Sequence, residues 1–171
     1  MTADEQFTGF PPVLGTSPNI LILGTMPSVA SKRRAQYYGH SRNLFWTFMG
    51  KLLGAAPELD YQERVGILKH RKVALWDVAC RCDRQLSSDA SIQNVVPNEI
   101  VDLLSRRRTI RAVFFNGRKA EELFDQYLAE ELSPTVRQRL HFETLPSTSP
   151  ANASVRRQTK ARRWRNILEW L

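Results

Sequence analysis

Four short strand-like segments constrain this chain more than anything else in it: residues 19–24, 72–78, 110–115 and 140–145. Three of them stop abruptly, at Gly24, at Asn116-Gly117 and at Pro146, and the second carries a single acid, Asp77, near its end. The first two, short and continuously apolar but for Asp77, read as strands buried in the sheet, and the other two as further short strands. The stretches between them carry apolar residues at helical spacing. Helices are expected over 43–53, over 60–69 with Asp60 as N-cap, from Pro97-Asn98 to about 106, over 119–130 and over 155–170. The last should pack through Trp164, Ile167, Leu168 and Leu171. Strands alternating with helices predict an α/β fold, a three-layer α/β/α sandwich with a central four-stranded parallel sheet. Residues 1–18, with Pro11-Pro12 and Gly15, read as an arm. The polar segment 81–98 reads as a long loop that covers something. With 171 residues and no internal repeat, a single domain over 1–171 is expected.

Charge narrows the partner. Twenty-five Lys and Arg against seventeen Asp and Glu leave +8 at pH 7, which favours a polyanion such as nucleic acid. No apolar run approaches the roughly 18 residues of a membrane span. The opening MTADEQFTG is acidic and lacks the positive-then-apolar pattern of a secretion signal. The only cysteines, Cys80 and Cys82, are too close for an ordinary disulfide and too few for a zinc site. They fit reduced thiols in a cytoplasmic protein without a membrane segment, a metal or a cofactor.

In an open α/β sheet, ligands bind outside the carboxyl ends of the strands. Three strand ends here feed three loops: GTMPS at 24–28, leading into YYGHSRNLFW at 37–46, FNG at 115–117, and LPSTSPAN at 145–152. Together with ALWDV at 74–78, and in this order, these motifs resemble the uracil-DNA glycosylase superfamily. The likeness is to its hypoxanthine (deoxyinosine) DNA glycosylase branch, related to the mismatch-specific thymine and uracil glycosylases. It runs from Phe10 to the C-terminus. The resemblance implies a monofunctional DNA glycosylase that flips a deaminated base out of DNA, hypoxanthine before uracil or xanthine, and hydrolyses its N-glycosidic bond. The substrate would be double-stranded DNA, with single strands an open alternative, and the enzyme a monomer.

One departure stands out. The superfamily often carries a water-positioning Asp or Asn two residues after the first-motif glycine, where this chain has Met26. The hypoxanthine branch implies an asparagine in the loop before the first helix instead. Asn43 is the matching residue, with His40 as the second candidate. The chemistry agrees: breaking the bond builds positive charge on the sugar and negative charge on the base, so one water must be oriented and the base given hydrogen bonds. An amide can accept from water while donating elsewhere, without a shifted pKa. Asn43 is equally a favoured N-cap for a helix starting at Leu44.

Base contacts are expected from Tyr38, Asn116, Thr25, Met26 and Phe45, with an aromatic face from Tyr37, Tyr38 or Phe45. The DNA backbone is expected to meet Ser28, Arg42, Ser147, Thr148, Ser149, Asn152, Arg156 and Arg157. Lys32, Arg33, Arg34, Lys160, Arg162, Arg163 and Arg165 add basic charge nearby. In the superfamily the loop matching 145–152 reaches into the minor groove, yet Pro150-Ala151-Asn152 is small. Insertion is therefore expected to come from elsewhere or to be weak. Asp77 and Asp89 are the acids at hand, although a lone carboxylate at a strand end more often accepts from backbone amides. No lysine nucleophile is nominated, so neither a Schiff base nor strand cleavage is expected. Two rivals remain: a catalytically inactive nucleic-acid-binding protein with the same fold, motivated by Met26, and a nucleotide-binding α/β protein. The second is disfavoured because GTMPS lacks the glycines and lysine of a phosphate-cradling loop.

Overall fold

A computed structural model describes residues 6–171; residues 1–5, on which part of the N-terminal reading falls, lie outside the described residues. In chain order the elements are β1 (Gln6–Thr8), β2 (Ile20–Gly24), α1 (Val29–Arg34), α2 (Phe45–Leu53), α3 (Tyr61–His70), β3 (Val73–Asp77), β4 (Ala79–Asp83), β5 (Gln93–Pro97), α4 (Ile100–Arg106), β6 (Ala112–Asn116), α5 (Arg118–Tyr127), α6 (Pro134–Arg139), β7 (His141–Leu145) and α7 (Arg157–Trp164). The four strand-like segments form one parallel sheet in the order β3-β2-β6-β7.

Alternation along these strands divides the core. Leu21, Leu23, Ala74, Val113 and Phe115 face Ile100, Leu104, Leu123 and Phe124 of α4 and α5. Ile20, Ile22, Val73, Leu75 and Phe114 face Phe45, Phe48, Met49, Leu68 and Trp164 of α2, α3 and α7. Side chains of successive residues point to opposite faces, so a continuous apolar run requires helices on both sides. The three-layer sandwich follows. Strand order reverses between β2 and β6, since the chain leaves β2 for β3 on one side and β6 for β7 on the other. That is the switch point at which such sheets open a crevice.

Several expectations need correction. The segment 81–98 is not a covering loop alone: β4 and β5 pair antiparallel, and β1 adds to β4, making a second three-stranded sheet. Only its connection, around residues 84–92, is irregular. The arm is thus an ordered element: Phe7 and Val13 are buried, and Val13 bridges Leu75. Helices α1 and α6 add to the helices expected. The last helix ends at Trp164 and tightens into a 3-10 turn over Arg165–Trp170. There Trp164 and Ile167 are buried while Leu168 faces solvent. Among the described residues no helix is long and apolar enough to cross a membrane.

Candidate active site

The loops after β2, β3–β4, β6 and β7 enclose one cavity of about 570 Å³ at the carboxyl edge of the sheet. That volume is typical of a small-ligand cleft. Its floor is set by a glycine. A Cβ on Gly24 would lie 2.5 Å from Asp77 Oδ1 and 3.2 Å from Tyr38 Oη, so the carboxylate and the phenol occupy the space a side chain would need.

Asp77, at the end of β3, is only 3% exposed. The backbone amides that a strand-end carboxylate usually captures are not its partners; among the described residues Oδ2 is buried with none. Burial, and then the Asp89 charge, push its carboxyl up to about 7, against the pull of the Arg84 guanidinium. Tyr38 Oη is likewise buried without a partner among the described residues, and burial raises its phenol, helped by Asp77. A buried carboxylate and a buried phenol, the latter beside the Asn116 amide that opposes the rise of its pKa, thus stand together at the wall of the cavity.

Tyr38 adopts a left-handed backbone, φ 54°, and stacks on Phe45 with ring centroids 4.0 Å apart. Tyr37 is core: its hydroxyl donates to Pro11 O at 2.9 Å, and its own carbonyl accepts from Trp46 Nε1 at 2.8 Å. Phe45 was expected to touch the base, but it is 0% exposed and does not line the cavity. It backs Tyr38 instead.

Asn43 lines the cavity, and it also caps α2: Phe45 N donates to its Oδ1 at 3.0 Å. That contact orients the amide, because an N–H must face the oxygen rather than the NH₂. Nδ2 is left uncommitted, along with the second lone pair of Oδ1. His40 lines the cavity too, and its Nδ1 accepts from Arg42 N at 3.1 Å. In the neutral imidazole the proton therefore sits on Nε2.

Asn116 and Thr148 form a two-point clamp. Asn116 Oδ1 accepts from Thr148 N and its Nδ2 donates to Thr148 Oγ1, both at 2.9 Å. Leu44 N donates to Thr148 O at 3.0 Å, which ties the Asn43 loop to the same point. Thr148 is 1% exposed, so its hydroxyl holds the loop and is not presented to a phosphate, contrary to expectation. Gly117, at φ 95°, has room for no side chain, since a Cβ would meet Ser147 Cβ at 2.8 Å. Ser147 and Ser149 Oγ accept from Ser149 N and Ala151 N, and Asn152 Nδ2 donates to Ser147 O; all three residues line the cavity.

Thr25 and Met26 also line it, with Thr25 Oγ1 donating to Asp89 at 3.1 Å. Ser28 lines it while its hydroxyl caps α1 by accepting from Ser31 N. Arg42, Arg156 and Arg157 are exposed and lie outside the lining. Three members of the basic runs are engaged internally: buried Lys160 donates to Asn152 O at 2.6 Å, Arg34 donates to Gly39 O at 2.9 Å, and Arg163 donates to Thr144 O at 3.1 Å and pairs with Glu143 at 3.4 Å.

Arg84 is the residue sequence reasoning missed. Almost wholly buried, it donates to Pro27 O at 2.9 Å, Leu86 O at 2.9 Å and Met26 O at 3.3 Å, and pairs with Asp89 at 3.6 Å. One guanidinium thus fastens the loop after β2 to the loop after β4. A lone arginine in a polar stretch carries no local sign of this role.

Comparisons with known proteins bear on the family and the fold. A family model described as the Uracil DNA glycosylase superfamily matches residues 11–171. A Methanosarcina acetivorans protein named Hypoxanthine DNA glycosylase is 38% identical over 147 residues, covering 84% of this chain and 87% of that protein. One of the same name from Methanosarcina barkeri is 38% identical over 115 residues, 67% of this chain and 73% of the relative. The solution NMR structure of a Methanosarcina acetivorans protein is similar with a TM-score of 0.76 at 32% identity, covering 95% of this chain and 99% of that one.

Proposed function

The chain belongs to the uracil DNA glycosylase superfamily, and from that premise we propose that it hydrolyses the N-glycosidic bond of a deaminated base in DNA, hypoxanthine first, by flipping the base and directing water at the sugar. The observation that carries this reading is the convergence of Asn43, Tyr38 and Asp77 on one cavity at the switch point of the sheet.

Deamination has a chemical signature that a carboxylate can read. Adenine and cytosine present a lone pair on the ring nitrogen of their pairing edge. Hypoxanthine, uracil and xanthine present an N–H there. Ionised Asp77, which lines the cavity, accepts from that N–H and repels the lone pair of adenine or cytosine, so it separates hypoxanthine and uracil from their parent bases; guanine and xanthine both carry the N–H and are not told apart by it. A flipped base is held against an aromatic face and read along its edge. Tyr38, braced by Phe45, supplies the face. Asn43 holds the water through its amide, and His40 Nε2–H is placed to donate to a phosphate or to the leaving base. The Asn116–Thr148 clamp positions the loop around the sugar. No lysine lines the cavity among the described residues, and the reaction is written with water as nucleophile and no strand scission.

The test is product analysis on duplexes carrying inosine, uracil or xanthine opposite each normal base. Abasic sites, formed fastest at inosine, are expected. Tight binding with no base released from any of them would favour an inactive binding protein.

A further inference from the structure

On the reading above, extrusion of a nucleotide leaves a hole in the base stack, and the loop at 145–152 offers only Pro150, Ala151 and Asn152 to fill it. We infer that Leu86 is the wedge: the side chain that enters the duplex and occupies the space of the flipped base. Leu86 is 79% exposed, against 42% for Val96 and 39% for Leu168, the other large apolar side chains in solvent. It stands at the tip of a turn closed by Ser88 N donating to Gln85 O at 3.2 Å. Its backbone is left-handed, φ 53°, a conformation unfavourable for leucine that persists only when the surroundings impose it.

Here the surroundings do so. The buried Arg84 guanidinium holds Leu86 O, and Val29 N donates to Ser87 Oγ at 3.0 Å, so the turn is fixed to both the Met26-Pro27 backbone and the start of α1. Immediately after the tip, Ser87 to Ala90 line the cavity. Leu86 is therefore an apolar side chain held rigidly at the rim of the site. On α1, to which the turn is tied, Lys32 and Arg33 supply positive charge for a phosphate backbone. Architectural DNA-binding proteins insert apolar wedges of this size between base steps and unstack them.

The experiment compares wild type with Leu86→Ala and Leu86→Met on two duplexes, inosine opposite cytosine and inosine opposite an abasic-site analogue, with 2-aminopurine beside the lesion. With the wild type, 2-aminopurine fluorescence rises on binding. Leu86→Ala should lose most of that rise and at least about tenfold in rate on the paired duplex, while the unpaired lesion changes by less than about threefold. Leu86→Met should restore most of both. Because the side chain is exposed, the melting temperature of Leu86→Ala should stay at the wild-type value. Wild-type fluorescence and rate in Leu86→Ala would overturn the inference, as would equal losses on both duplexes. If the wild type releases no base, the glycosylase reading falls instead, and the fluorescence comparison alone decides the wedge.

Discussion

Asp77 carries two consequences of opposite sign. The groups around it are Asp89, which opposes its ionisation, Arg84, which favours it, and the neutral phenol of Tyr38. Its folded-state value of about 7 lies above the ordinary 3.8, so between those pH values the native state binds more protons than the unfolded chain. Stability must then fall as pH rises through that window, by up to about 4 kcal/mol. Asp77→Asn should abolish this slope and raise the melting temperature at pH 8. It should also remove the rise of kcat/KM through about pH 7 expected when the ionised form reads the base, and narrow the preference for free hypoxanthine over adenine as an inhibitor by roughly tenfold. A variant with unchanged pH dependence would remove Asp77 from the recognition step. Gly24→Ala tests the same floor from beneath: the added methyl meets Asp77 Oδ1 and Tyr38 Oη, and activity should drop by at least about tenfold in a protein that still folds.

At the level of elements, β2, β3 and β6 were readable because each is apolar on both faces, while β7, with His141 and Glu143, was readable mainly from the turn signal at Pro146 and its place in the alternation with helices. The second sheet was not, since β4 and β5 are short, mostly polar and irregular in register, so no run or period marks them. The site was legible in part. Asn43, Tyr38, His40 and the serines of 147–149 come together because strand ends in a parallel sheet share one edge. Asn116 was legible by place: it lines the cavity, and its amide also joins Thr148, a partner no local pattern announces. Arg84, Leu86 and the orphaned oxygen of Asp77 depend on packing across elements far apart in the chain. Arg84 links two such loops, and Arg84→Leu would leave three carbonyls without their donor and Asp89 without its counter-charge. A loss of stability on the order of 3 kcal/mol is expected by denaturant unfolding, with a disordered 84–92 turn and weakened turnover. Unchanged stability would show that the two loops are held by other contacts.

Across the whole molecule, a charge of +8 and exposed Arg42, Arg156 and Arg157 near the cavity loops describe a surface suited to a phosphate track. Affinity for an undamaged duplex should fall linearly on a log–log plot against salt, and each of these arginines replaced by Gln should reduce the slope by about 0.9 if it meets a phosphate. Lys160→Gln should act differently, weakening the 147–152 loop it holds rather than removing a phosphate contact. All of this serves one centre, where Asn43 both caps α2 and faces the cavity. Asn43→Ser keeps a cap but lacks the amide, which separates folding from chemistry. The most direct test is single-turnover release of hypoxanthine from an inosine duplex by the wild type and Asn43→Ser, with binding measured on the same duplex. The expected result is a fall of at least about 100-fold in the chemical step with affinity held within a few-fold; release by Asn43→Ser at the wild-type rate would contradict the assignment of this cavity as a water-directing active site built on Asn43.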